Sequence, residues 1–331
     1  MDQKYQKLKV GNNYKYIYCM TKKIILIITA IVILLIIGLV LNNEKTPLDI
    51  EDNDKEVVVL STFTIIEDMV SEVGGDKIKS VSLTKPGAEI HGYQVTPGDL
   101  IRASEATIIF ENGMNLELWT EKLRASIPDV PVIQVSENVE VVNIAEDAYA
   151  GKPNPHAWMS PQQGLVYVEN IRKALTDIIP EHADYFAERA ESYSAEIRLV
   201  DERLESELSA LPENNRVLVT CEGAFSYLTK DYNLEEVYLW AINSESQGTP
   251  QQAAWVMEVV REKQVPAVFC ESTVEPRLQT EVANATDAEL GGILYVDSLS
   301  SEDGPAPSYL KLLEHTADTI ISGLTGAKND N

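Results

Sequence analysis

The sequence predicts an α/β protein of two lobes, each built on a mostly parallel sheet flanked by helices, joined by one long helix and preceded by an N-terminal transmembrane anchor. Three observations carry this. From Glu56 onward, short β-rich runs alternate with helical segments, the pattern that builds a parallel sheet covered on both faces. A long segment, Glu181 to Leu211, repeats apolar residues at helical spacing between two such alternations. Near the start, Ile24 to Leu41 is apolar and free of charge over 18 residues, close to the length that crosses a bilayer.

The head before that run carries Lys4, Lys7, Lys9, Lys15, Lys22 and Lys23 against Asp2 alone. Such a head stays on the cytoplasmic side, placing the body outside. No clear small-residue cleavage site follows, so an uncleaved anchor is expected. Cys19 precedes the apolar run and cannot be the lipidated cysteine of a lipoprotein signal. Asn42 to Lys55, with Glu44, Asp49, Glu51, Asp52 and Asp54, reads as a solvated tether. The division is therefore a basic head at 1–23, a membrane segment at 24–41, a tether at 42–55, a first lobe at 56–180, a linking helix at 181–211 and a second lobe at 212–331.

In the first lobe, strands are expected at Val57 to Leu60, Ile78 to Leu83, Ala106 to Phe110 and Val132 to Val135. Between them run helices Thr64 to Val73, Thr96 to Ser104 and Leu116 to Ser126. Thr96, Pro97 and Asp99 supply an N-cap, a first-turn proline and an early acid. Glu137 to Pro155 lacks periodicity and reads as a surface loop. A helix from Ser160 and Pro161 to Ile179 precedes the linking helix, whose buried stripe is Phe186, Tyr193, Ile197, Val200, Leu204 and Leu208. The second lobe resumes with strand Val217 to Thr220, a helix near Ala224 to Lys230, helix Thr249 to Lys263, and strands Ala267 to Cys270 and Ile293 to Val296.

The formal net charge is −25, from 27 Lys and Arg against 52 Asp and Glu. That repels phosphate backbones, excludes general nucleic-acid binding and favours cations as partners. Of four histidines, His182 and His315 sit on charged helices and are expected at the surface. His91, in Pro-Gly-Ala-Glu-Ile-His-Gly-Tyr, and His156, in Asn-Pro-His-Ala-Trp-Met-Ser-Pro, sit in loops after strands of the first lobe. Glu222 and Asp297 stand at the carboxyl ends of second-lobe strands, where ligands of α/β folds bind. Each alone could be a helix N-cap. Together, two imidazoles facing two carboxylates would make a pocket in which burying the acids is offset by a divalent cation. Both imidazoles must be neutral to bind, so occupancy is expected to fall toward and below about pH 6.5, the range of an ordinary histidine.

From about residue 56 to the end, these motifs in this order resemble the metal-binding subunits of ABC importers for manganese, zinc and iron. The resemblance rests on Gly-Ala-Glu-Ile-His-Gly-Tyr, Asn-Pro-His-Ala-Trp-Met-Ser-Pro, Cys-Glu-Gly-Ala-Phe-Ser-Tyr-Leu and Tyr-Val-Asp-Ser-Leu. It implies His91, His156, Glu222 and Asp297 as metal ligands, a monomer, and an ABC permease as the membrane partner. Zinc-taking members typically carry His at the third position and a His-rich acidic loop. This chain has Glu222 and no His between Asn112 and Pro155, which favours Mn²⁺, with Zn²⁺ expected to bind in vitro by the Irving–Williams order. Zinc- or iron-specific transport is the alternative, and a metal-dependent hydrolase or an adhesion module the competing classes. No HExxH helix or nucleophile elbow is present, so no enzyme is expected.

Cys221 and Cys270 end second-lobe strands in a compartment that permits disulfides, and a bridge between them is expected. A thiolate ligand from Cys221 is disfavoured because adjacent strand residues face opposite ways.

Overall fold

The computed structural model describes residues 56–145, 149–242 and 248–326, which belong to one compact unit beginning at Glu56. The expected head, membrane segment and tether lie outside the described residues. No helix among the described residues is long and apolar enough to cross a membrane.

The first lobe alternates β1 (Val58–Ser61), α1 (Thr64–Gly74), β2 (Lys79–Ser82), α2 (Pro97–Glu105), β3 (Ile108–Glu111), α3 (Thr120–Ser126) and β4 (Val132–Gln134). All four strands are parallel, in the order β2-β1-β3-β4. β3 is buried throughout and β1 nearly so, as required of central strands covered on both faces. The N-cap expected at Thr96 forms, as part of a capping box. Thr96 Oγ1 accepts the Asp99 N–H, and the Asp99 carboxylate accepts the Thr96 N–H at 2.7 Å.

Two helices follow, α4 (Pro161–Ile178) and α5 (Ala183–Ser209), with a single 3₁₀ turn at Pro180–His182 between them. The whole expected stripe of α5 is buried. At about 1.5 Å per residue its 27 residues span roughly 40 Å. The second lobe then contains β5 (Val217–Glu222), α6 (Ser226–Asp231), β6 (Glu235–Trp240), α7 (Pro250–Lys263), β7 (Ala267–Glu271), α8 (Arg277–Ala285), β8 (Glu289–Leu294) and α9 (Tyr309–Thr325). Helix α5 packs on α1 and α4 from one side and on α9 from the other. One apolar cluster runs from Val59 and Phe63 through this stripe to Leu294, Val296 and Leu312, so the lobes share a core. Gly164 on α4 admits the Tyr309 ring, which a side chain there would strike; the Tyr309 hydroxyl donates to Trp158 O at 2.6 Å.

The second-lobe sheet is split. β5 pairs in parallel with β6 and β7 with β8, but no ladder joins β5 to β7 among the described residues. The two strands lie side by side, and side chains close the seam: the Gln279 amide donates to Val219 O at 3.3 Å and to Phe269 O at 2.8 Å.

Several expectations need correction. The helix expected from Leu116 begins only at Thr120, because Gly113, Met114 and Asn115 all take positive φ and the Glu117 carboxylate accepts the N–H groups of Asn112 and Gly113. The last strand lies at Glu289–Leu294 rather than Ile293 to Val296; Gly291 and Gly292 sit inside it, where Gly291 lies against the Phe269 ring. The sequence pattern assigned nothing to β6, which opens on two acids, or to α8, which opens on Arg277. The stretch read as a surface loop buries Val139, Ile144 and Asn154.

Asp68 on α1 ties these helices together, accepting from the Tyr309 N–H at the start of α9 (2.8 Å) and from the Tyr193 hydroxyl of α5 (3.4 Å). Burial, reinforced by the Glu72 and Glu67 carboxylates, pushes its carboxyl up from 3.8 to about 7. Between those values the folded chain binds the proton and the unfolded chain does not, so this group costs stability increasingly as pH rises from about 4 to 7 and no further above. D68N keeps the acceptor and cannot ionise. Its urea midpoint is expected to gain on the wild type between about pH 4 and pH 8, by on the order of 2 kcal/mol in unfolding free energy; a pH-independent difference would refute this account of Asp68.

Candidate metal centre

Glu222, Asp297 and His156 stand beside the ends of short regular elements, and His91 lies within a long loop. His91 lies in the loop between β2 and α2. That loop is pinned at Gly87, whose N–H meets Ser298 Oγ at 2.7 Å, and at Ile90, whose carbonyl accepts from Trp119 Nε1 at 2.9 Å. The Glu89 carboxylate accepts the N–H groups of His91 and Gly92. His156 precedes the 3₁₀ turn Ala157–Met159. Glu222 is the last residue of β5. Asp297 comes three residues after β8, in a segment held by Trp158 Nε1 donating to Val296 O at 2.9 Å and by Thr273 Oγ1 donating to Asp297 Oδ2 at 3.1 Å. Neither acid is a helix N-cap; the cap position of α6 is Phe225.

The fold brings all four together, with one ligand atom from each within 4.8 Å of the others. The two Nε2 atoms are 3.2 Å apart. His91 Nε2 is 3.5 Å from Glu222 Oε1 and 3.8 Å from Asp297 Oδ1, and His156 Nε2 is 3.6 and 3.8 Å from the same atoms. His156, Glu222 and Asp297 have no exposed surface, while 9% of the His91 side chain is exposed. Burial drives the His91 pKa down to about 4, against the pull of Glu89. Burial, with His91 adjacent, holds His156 well below its usual range. Both imidazoles are therefore neutral and can offer lone pairs to a cation, and protonation expected near pH 6.5 moves to more acid conditions. His182 and His315 are half-buried rather than solvent-facing. His182 packs on Phe186, and His315 Nε2 lies 2.9 Å from Ile293 O; neither joins the cluster.

Residues 59–323 match the ZnuA family, described as the periplasmic component A of a zinc-uptake complex. The chain belongs to this family. Its members are solute-binding parts of ABC metal importers, not enzymes, which removes the hydrolase alternative. This ZnuA-family chain is 49% identical over 272 residues to the iron-binding protein YfeA of Yersinia pestis, covering 82% of this chain and 88% of that one. It is 30% identical over 267 residues to the manganese-binding lipoprotein MntA of Halalkalibacterium halodurans, covering 81% and 88%. The solved Mn-bound periplasmic metal-binding protein of Candidatus Liberibacter asiaticus superposes with a TM-score of 0.76 at 36% identity, covering 81% of this chain and all of that one.

Behind Glu222, the seam between β5 and β7 is closed covalently. Cys221 and Cys270 form a disulfide with their Cα atoms 4.9 Å apart. Cys221 faces the apolar cluster of Val217, Val219 and Val268, and strand alternation turns Glu222 the other way, toward the metal-binding side of this ZnuA-family site. Glu271, next to Cys270, accepts the Glu222 N–H at 3.2 Å, and burial pushes its carboxyl up to about 8. The reading of the sequence missed Glu271, Thr273 and Asn154. The only available signal was adjacency: Glu271 follows a cysteine, and Asn154 opens Asn-Pro-His.

The bridge closes a separation of 49 residues, worth about 4 kcal/mol in the chain-entropy treatment. The C221S/C270S variant is expected to lose about 2–4 kcal/mol of unfolding free energy by denaturant titration, and a reducing agent should lower the wild type toward it while leaving the variant unchanged. Equal stability with and without the cysteines would show that the bridge contributes nothing.

Proposed function

We propose that this protein captures Mn²⁺ outside the cytoplasmic membrane, between the His91 and His156 imidazoles of one lobe and the Glu222 and Asp297 carboxylates of the other, and delivers it to an ABC permease. The reading is carried by the spacing of the donor atoms. Five of the six distances among the four donor atoms are 3.2–3.8 Å and all lie within 4.8 Å; a regular tetrahedron with edges of about 3.2–3.8 Å has its centre about 2.0–2.3 Å from each corner, the range in which imidazole nitrogen and carboxylate oxygen hold a divalent transition metal.

The choice of Mn²⁺ is supported by the donor set. Two carboxylates can each bind through both oxygens and supply the five or six mostly oxygen contacts Mn²⁺ accepts, and no thiolate competes, since Cys221 is tied to Cys270. The manganese-binding and Mn-bound relatives agree with this choice. The iron-binding relative at 49% identity favours a second reading, Fe²⁺, which takes the same donors and stands next to Mn²⁺ in the Irving–Williams order. Metal analysis of protein purified from its native membrane decides between them: manganese is expected, and iron in its place would overturn the choice. In the same reading the chain is a monomer, anchored through residues 24–41 with its body outside.

E222A/D297A is expected to weaken Mn²⁺ binding in isothermal titration by more than about 100-fold, with circular dichroism unchanged. Undiminished binding would remove these acids from the site. By the Irving–Williams order, Zn²⁺ is expected to displace Mn²⁺ from the purified protein, so that supply rather than affinity selects the cargo. A competition titration in which excess zinc leaves manganese bound would contradict this.

A further inference from the structure

The two halves of the site come from different lobes, yet a single buried amide touches both. Asn154, 1% exposed, lies in the first-lobe loop ahead of His156. Its Oδ1 is 3.1 Å from the His156 backbone nitrogen and 2.8 Å from His156 Nδ1. A backbone N–H can only donate, so the atom facing it is the amide oxygen, and that oxygen must accept from Nδ1 as well. The proton of the neutral imidazole is thereby placed on Nδ1, leaving the Nε2 lone pair aimed at the site.

The other end of the amide reaches the opposite lobe. Asn154 Nδ2 donates to Gly223 O at 2.6 Å and to Ser226 Oγ at 3.0 Å. Gly223 directly follows Glu222 and is itself fixed in the second-lobe sheet, its N–H donating to Trp240 O at 2.9 Å. A side chain at Gly223 would meet the Tyr238 ring and Ala241 O, so this peptide has little freedom. Asn154 is held in turn by its own backbone: its N–H donates to Val142 O, and its carbonyl accepts from the Tyr227 hydroxyl at 2.8 Å. Every donor and acceptor of the residue is used, and the side chain divides its bonds between a ligand of one lobe and the residue after a ligand of the other.

We propose that Asn154 is a positioning residue that couples the halves of the metal site, its oxygen selecting the metal-binding tautomer of His156 and its nitrogen holding the Glu222 strand end against the first lobe. The proposal rests on the reading of His156 and Glu222 as ligands. The outer partners of metal-bound histidines typically change metal affinity about 10- to 100-fold when removed. An amide differs here from a carboxylate: aspartate could still accept from His156, but would bring an oxygen against the Gly223 carbonyl with no proton between them.

The test compares wild type, H156A, N154A and N154D by Mn²⁺ titration, by the rate of Mn²⁺ release to a chelator, and by ¹⁵N NMR of histidine-labelled apoprotein. The chain holds only four histidines, so the tautomer of His156 is readily assigned. N154A is expected to bind Mn²⁺ about 10- to 100-fold more weakly and to show a mixture of His156 tautomers. N154D is expected to keep the Nδ1–H tautomer yet release Mn²⁺ several-fold faster than wild type (~3–10-fold), a split that general destabilisation does not produce. Wild-type affinity and tautomer in N154A would overturn the proposal, and wild-type release from N154D would overturn the coupling between lobes. If wild type fails to bind, or H156A binds as wild type does, the ligand assignment itself is at fault.

Discussion

The structure is organised around the cost of burying charge. Glu222 and Asp297 have no exposed surface, and two imidazoles that burial holds below their usual pKa range lie 3.5–3.8 Å from them. An arrangement of this kind is poorly stable on its own and becomes favourable with a divalent cation at its centre. Holding four such donors within 4.8 Å requires a frame that cannot relax to separate them. Helix α5 supplies it by burying one face against elements of both lobes, so the cleft is floored by the same apolar cluster that stabilises each sheet.

The second lobe accepts a weakness in return. A fully laddered sheet would hold β5 through backbone hydrogen bonds on both edges; here one edge is joined by a disulfide, by the Gln279 amide and by the Glu271 carboxyl. Each bond is a side-chain bond within a few residues of Glu222. The position of that ligand is thus set by particular side chains as much as by secondary structure, and the fold alone does not guarantee it.

Much of this was legible in the sequence, for identifiable reasons. Caps and periodicity are local: Thr96-Pro97-Asp99 and the α5 stripe announce their elements without reference to anything distant, and the four candidate ligands stand out as His or acid in loops and at strand ends. What was not legible depends on tertiary partners. The end of β8 is obscured by Gly291 and Gly292, whose place in a strand makes sense only beside the Phe269 ring. β6 opens on Glu235 and Glu236, and the half-buried Glu236 carboxylate accepts from the Ser226 hydroxyl and the Phe225 N–H. Asn154 looks like an ordinary loop residue until Gly223, far along the chain, is brought beside it.

His91 alone among the four donors reaches the surface, on a glycine-bounded loop fastened at Gly87 and Ile90. The other three have no exposed surface, and the Trp158 ring lies 5.3 Å from that of His156. In the proposed reading, an ion would lose its last water molecules on the His91 side, since His91 is the one donor of the four with exposed surface. The imidazole that would complete the cage thus also stands at its open side.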